Sequence, residues 1–195
     1  MYEVIGSKAS RAFRVLWMLE ELGVNYTHTP AGPRGAEAVA ANPSGKIPAL
    51  RVEGTVVTES VAIMTYLGDR HGALTHPAGT LERARQDALT QQILDDLDSV
   101  LWMAARHSFV LPEDRRVPEI KDSLKWEYER NIVRLAEALG GPFLMGQDIT
   151  VPDLLLVHCL RWAENAKFPA PGEVLEAYRK RLEAREAFQS VLDLP

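Results

Sequence analysis

Three short stretches carry residue types suited to holding and activating a small anionic ligand. In "GSKASR", Ser7 and Ser10 stand where a first strand turns into a first helix. The free amides and positive dipole end of a helix N-terminus favour an anion there. In "NPSGKIPAL", residues 42–50, the Ile47-Pro48 pair opens a strand with a residue that cannot donate to a sheet ladder. A cis bond at this position would turn the chain and present the Ile47 N–H and C=O to an extended peptide, as in strand addition. In "TESVAI", Glu59-Ser60 begins another helix, so Ser60 can hold a carboxylate while Glu59 faces an amine. Each stretch also has a plain structural reading: a capping serine, a trans proline at a strand mouth, and a helix cap with an acidic first turn. A ligand with an anionic sulfur, a short peptide backbone and an amino-acid end would use all three.

The elements that must position these residues follow from periodicity. "YEVIG" and "VNYTH" read as strands, "IPALRV" and "TVVTE" as a hairpin around Glu53-Gly54. Val15, Leu16, Leu19 and Leu22 recur at helical spacing from Ser10 onward, with Gly23 as the stop. "GAEAVAANP" is a weaker helix and "SVAIMTYLGDRHG" a third. The order β-α-β-α-β-β-α predicts a small mixed sheet covered by helices over residues 1–74. Residues 75–81 lie in a Gly-, Pro- and Thr-rich stretch and read as a linker. Beyond it, over 82–195, strand signals vanish and the chain reads as all-helical. Its clearest start signal is Thr150 as N-cap with Asp153 at the capping-box position and Ile149 and Leu154 spaced as a staple.

Bulk properties exclude several classes. A net charge of -5 argues against a nucleic-acid partner. No apolar run reaches the roughly 20 residues that span a membrane, so no membrane role is expected. "MYEVIGSK" has no basic or apolar leader character, and a cytoplasmic location is the default. The single cysteine, Cys159, reads as a small buried hydrophobe, and His71 and His76 lack a third ligand, so no metal is expected. On the long helix after the linker, Gln91, Asp95, Asp98, Trp102 and Arg106 share one stripe and Ile93, Leu97, Val100, Leu101 and Ala104 another. The first stripe is either a solvated face or, through Trp102 and Arg106, the wall of an electrophile pocket in the cleft between the domains. Trp17, Trp126 and Trp162 read as core or interface residues.

The pattern "GSKASRAFRVLWMLEELGVNY … NPSGKIPAL … TESVAIMTYL" resembles the glutathione-binding domain of the glutathione S-transferase family, and "GPFLMGQDITVPDLLL" resembles the capping-box helix of its second domain. The resemblance implies a thioredoxin-like α/β domain followed by an all-α domain, and a transferase of the glutathionyl group with glutathione as co-substrate. It implies a cis Pro48, glutathione paired with the Ile47 backbone beside Lys46, Glu59 and Ser60 on the γ-glutamyl end, and a homodimer acting in detoxification. No tyrosine ends the first strand and no cysteine lies near the first helix, which leaves the serine type. Counting back from Gly23, the usual serine position falls on Ala9, one residue from Ser10. Ser10 is therefore the expected activating hydroxyl, with Ser7 or the backbone amides near Ala9 as alternatives. A binding protein without useful catalysis, and a glutathione-dependent isomerase or dehalogenase, remain as other readings.

Overall fold

The computed structural model describes residues 1–195. Its chain divides into two compact units, Met1–Arg83 with Leu182–Pro195, and Ala84–Arg181. No helix is long and apolar enough to cross a membrane.

In the first unit, β1 (Tyr2–Ile5), β2 (Tyr26–Thr29), β3 (Ala49–Val52) and β4 (Thr55–Thr58) form a sheet of order β2-β1-β3-β4. β1 and β2 are parallel, while β3 runs antiparallel to both β1 and β4. Helices α1 (Ala12–Leu22), α2 (Ala36–Ala41) and α3 (Ser60–His71) cover it. Val4, Leu16, Leu19, Leu50, Ile63, Met64 and Leu67 are fully buried and form its core. Gly23 and Gly72 close α1 and α3 in the left-handed conformation.

The sequence starts α1 at Ser10, but the helix begins at Ala12. The residues before it form a tight turn, in which Ser10 N–H donates to Ser7 O at 2.9 Å. The Ser10 hydroxyl serves both this turn and the helix start, donating to Ser7 O and accepting from the N–H of Ala12, so the periodicity that marks the helix says nothing of where the turn ends.

The second unit holds one long helical path. α4 (Leu81–Ile93) begins in the first unit and continues through a π-helical turn at Leu94–Asp98, α5 (Ser99–Ala105) and a second π turn at Arg106–Val110. α6 (Ile120–Glu137), α7 (Val151–Asn165) and α8 (Glu173–Glu183) follow. Each π turn adds a residue to the helical repeat, so a stripe counted at regular spacing drifts. Asp98, expected on the outer stripe with Gln91 and Asp95, is buried, whereas Gln91, Asp95 and Trp102 are exposed.

The capping box of α7 forms, with Pro152 in its first turn. Asp153 is fully buried and its carboxylate accepts four bonds. They come from Leu144 N–H at 2.8 Å, Tyr178 OH at 2.6 Å, Thr150 N–H at 2.8 Å and the Thr150 hydroxyl at 2.9 Å. Burial pushes the Asp153 carboxyl above its ordinary range, and these donors pull it back down. Cys159 is buried on the same helix.

The last helix, α9 (Glu186–Asp193), departs from the sequence-based division, which groups it with the helical half. It belongs to the first unit and packs on α1. The reason is aromatic and non-local: Phe188 stands 5.0 Å from Phe13 and 4.9 Å edge-on to Trp17 between ring centroids. Trp17 is thereby core, as expected, but Trp126 is 58 % exposed with the Arg130 guanidinium 4.8 Å over its ring.

Candidate glutathione site

Strand register explains why three stretches far apart in sequence meet. Ile5 pairs with Thr29 on one side and Ala49 on the other, and Ala49 pairs with Thr58. Beyond this single row of the sheet lie Gly6 and Ser7, then Pro48 and Ile47, then Glu59 and Ser60. The Ile47–Pro48 peptide is cis. A side chain built on Gly6 would meet Ala12 Cβ at 2.9 Å, Ile47 Cβ at 3.2 Å and Pro48 Cα at 3.5 Å. Gly6 also has φ 149°, a conformation closed to most residues. Only glycine therefore lets the first turn and the proline loop approach this closely.

Two residues that the sequence reading missed fix this end of the sheet. His28 Nε2 donates to Gly6 O at 2.8 Å, while Gly6 N–H donates to Thr29 O at 3.1 Å, so both backbone groups of Gly6 are held. Arg14, fully buried on α1, reaches Ser60 Oγ with Nη1 at 3.4 Å. Neither contact has a local signal, since each partner lies tens of residues away. A third, Arg34, sits at φ 63° with its N–H on Gly45 O at 2.8 Å, which sets a cationic residue against the turn that carries Lys46.

Within the first turn, Ser10 Oγ donates to Ser7 O at 2.6 Å and accepts from Ala12 N–H at 3.1 Å. Ser7 Oγ accepts from Ala9 N–H at 3.2 Å, which keeps its own proton available for donation. In the proline loop, Asn42 orders the backbone by accepting from Ser44 N–H and donating to Lys46 O at 3.1 Å each. Glu59 is exposed and stands before α3 at φ 66° and ψ 117°, with no side-chain cap bond. A non-glycine residue in such a conformation costs on the order of 1–3 kcal/mol and persists where the surroundings over-determine it, a feature that clusters at binding sites. Ser60 is buried at the first position of α3.

The register thus brings together Ser7, Ser10, Ile47, Pro48, Glu59 and Ser60, with Lys46 beside them. Trp102 and Arg106 belong to the second unit, on α5 and the π turn that follows it. Trp102 is 36 % exposed and Arg106 half-buried.

Residues 10–70 match the family described as the glutathione S-transferase N-terminal domain. The chain is 31 % identical over 163 residues to glutathione S-transferase GstA of Escherichia coli O157:H7, covering 81 % of this chain and 78 % of that protein. The chain belongs to the glutathione S-transferase family. A shorter match, 32 % over 99 residues, is to a maleylacetoacetate isomerase of Rhizobium meliloti (strain 1021), covering 48 % of this chain and 46 % of that one. Among solved structures, the glutathione transferase URE2P6 of Phanerochaete chrysosporium in complex with oxidized glutathione superposes with a TM-score of 0.81 at 26 % identity, over 98 % of this chain and 94 % of that one. The glutathione S-transferase fold, a small mixed sheet with helices followed by a helical segment, is therefore that of this protein.

Proposed function

We propose that this glutathione S-transferase binds glutathione across the row Ile5–Ala49–Thr58 and activates its thiol for attack on a small electrophile. The observation that carries this reading is the convergence of the Ser7–Ser10 turn, cis Ile47–Pro48 and Glu59–Ser60 on one sheet end. The Ile47 backbone pairs with the cysteinyl segment, Ser60 and the α3 N-terminus hold the γ-glutamyl carboxylate, and Glu59 takes the amine. Lys46 supplies a cation for the far carboxylate.

A free thiol has a pKa of about 8.5, so little is thiolate at neutral pH. Lowering it by two units requires about 2.7 kcal/mol of preferential stabilisation of the anion. One hydrogen bond to the charged sulfur plus the positive end of α1 supplies that much. The proton leaves to solvent, and the sulfur lone pair forms the new bond to the electrophile. The electrophile either expels a leaving group with its bonding pair or, at an activated double bond, takes up a proton from solvent on the atom that receives the displaced π electrons. Trp102 provides an aromatic wall for that electrophile and Arg106 a counter-charge. A cytoplasmic homodimer with a detoxifying role completes the reading.

Ser10 is the activating hydroxyl in this proposal, and it must turn from Ser7 O to the sulfur as glutathione binds. Catalytic hydrogen bonds commonly tighten into place only in the complex. The test is the ultraviolet titration of glutathione thiolate in the complex for Ser10→Ala and Ser7→Ala. Ser10→Ala should raise the bound thiol's pKa by one unit or more, with about tenfold loss of rate near neutrality. A shift in Ser7→Ala alone reverses the assignment; a shift in neither hands the role to the amides near Ala9.

Two observations favour second readings. The Ser10 proton is already committed to Ser7 O at 2.6 Å, which suits glutathione binding without turnover. The isomerase relative suits a thiolate that adds to its substrate and is later expelled. Titration with glutathione beside a panel of electrophiles and isomerisable cis-alkene acids separates them. Conjugation upholds the main reading, isomerisation or binding alone the others, and no binding removes all three.

A further inference from the structure

Between Ser7 and Ser10 lies Lys8, a residue to which neither the fold nor the thiol chemistry gives a role. Its ammonium donates to Leu192 O at 2.8 Å and also to Leu194 O. These are carbonyls of the last turn of α9 and the residue just past it, at the very end of the described chain. The last four carbonyls of a helix have no partner within it, and the negative end of the helix dipole adds to their pull on a cation. Lys8 therefore caps α9 from a distance of more than 180 positions in sequence.

The rest of α9 is fixed equally well to α1. At its N-terminal end, Arg185 forms a two-pronged bond to Glu21, with Nε to Oε1 and Nη2 to Oε2 both at 2.6 Å. Glu21 is held in turn by Trp17 Nε1 at 2.9 Å. The pairing raises the Arg185 pKa, chiefly through the hydrogen bond to Glu21. In the middle, buried Phe188 and Val191 lie against the α1 face that carries Phe13 and Trp17. The two helices run antiparallel, because the end of α1 meets the start of α9 and the turn before α1 meets the end of α9.

We propose that Lys8 is a positioning residue: it ties the Ser7–Ser10 turn to the rigid C-terminal helix and so holds Ser10 where it can act on the thiol. The proposal rests on the reading of this turn as the thiol-activating element. The Ser7 carbonyl that receives the Ser10 hydroxyl belongs to the peptide joining Ser7 to Lys8. Anchoring Lys8 therefore fixes the turn that carries Ser10, so that its hydroxyl can swing from Ser7 O to the sulfur without the backbone moving. A lysine head group on a flexible stem loses rotamer entropy when ordered, and two carbonyls offset that cost.

Three full-length proteins test this: wild type, Lys8→Met and Lys8→Arg. Lys8→Met keeps the apolar stem and loses the donor, while Lys8→Arg keeps the charge and the reach. With glutathione bound, Lys8→Met should raise the thiol's pKa by about one unit, a tenfold loss of thiolate and of rate near neutral pH. Lys8→Arg should restore most of it. Without glutathione, amide hydrogen exchange at Ala9, Ser10 and Ala12 should quicken at least tenfold in Lys8→Met. A lowered melting temperature with unchanged thiol pKa would mean a structural contact only and would overturn the proposal. Wild-type protein that binds no glutathione overturns the functional reading, and the exchange data still decide the tether: equal exchange in wild type and Lys8→Met overturns it, faster exchange in Lys8→Met upholds it.

Discussion

Helices α3 and α7 begin with similar sequences and reach opposite ends. Each has a hydroxyl residue at its start and an acidic residue within the first turn or just before it, a pattern that signals capping in both. At α7, the acidic side chain turns inward and Asp153 answers four donors, so every polar group of the knot is satisfied. At α3, the acidic side chain of Glu59 turns outward, caps nothing, and sits on a strained backbone at φ 66°. The first arrangement stabilises the fold. The second leaves an exposed carboxylate on a strained backbone with no cap bond, which suits the ligand contact proposed for Glu59.

The largest expected effect lies at α7. Asp153→Ala leaves two backbone amides and two hydroxyls buried without their acceptor, and removing such a hub costs roughly 3–5 kcal/mol. For a protein of this size, that lowers the melting temperature by about 10 °C or more. Asp153→Asn is little better, since its NH2 must face two donors. Glutathione affinity of whatever Asp153→Ala protein folds should match wild type. A melting temperature within 2 °C or so of wild type would erase the contrast between the two helix starts.

The next effect is the mirror image, at α3. A ligand at a hundred times its Kd stabilises the folded state by about 2.7 kcal/mol, so glutathione should raise the melting temperature of the wild type by several degrees. Glu59→Ala and Ser60→Ala should lose much of that gain while melting near the wild type when unliganded, because the Arg14 contact to Ser60 is long at 3.4 Å. Normal protection in both variants would move the γ-glutamyl site elsewhere.

The contrast also shows what a sequence makes legible. Strand alternation, helical periodicity and the Thr150–Asp153 box are local patterns, and each lies where it was expected. The three stretches proposed for the ligand are legible as types, but their convergence is a property of register, which rests on the pairing of β1 with β3, over forty residues apart. The start of α1 at Ala12 is not legible, because a short turn and a first helical turn use serine alike. The π turns at Leu94–Asp98 and Arg106–Val110 leave no local trace, which is why regular spacing puts Asp98 on one stripe with Gln91 and Asp95 although it is buried. His28, Arg14, Lys8 and the docking of α9 carry no sequence signal for one shared reason: each depends on a partner remote in sequence.

A smaller effect sharpens the strain argument. Glu59→Gly removes the cost of φ 66°, on the order of 1–3 kcal/mol, and offsets it with about 1 kcal/mol of extra freedom in the unfolded chain. The variant should melt at or slightly above the wild type, while glutathione protection falls as in Glu59→Ala. A clear drop in the unliganded melting temperature would mean that Glu59 is a structural residue after all, and the two helix starts would be alike.

The smallest effect is the pH dependence of the two carboxylates. Burial raises the Asp153 pKa, so the folded protein keeps its proton at pH values where the unfolded chain, with a value near 3.9, has released it. The stability that this proton contributes is fully present below the unfolded value and is lost as pH rises through the folded one. Glu176 works the other way: its bond to Arg179 lowers its pKa, so its contribution is present above about pH 4.3 and fades as pH falls through the folded value. The two slopes oppose each other in the wild type. Replacing Asp153 by asparagine should leave only the rising limb, whatever the overall loss of stability, so the quantity to follow is the slope of melting temperature between about pH 3 and 6. If Asp153→Asn and wild type share one slope, the four donors hold the Asp153 pKa near its unfolded value and outweigh its burial. The α7 knot would then carry no pH term, and only the count of satisfied donors would distinguish it from α3.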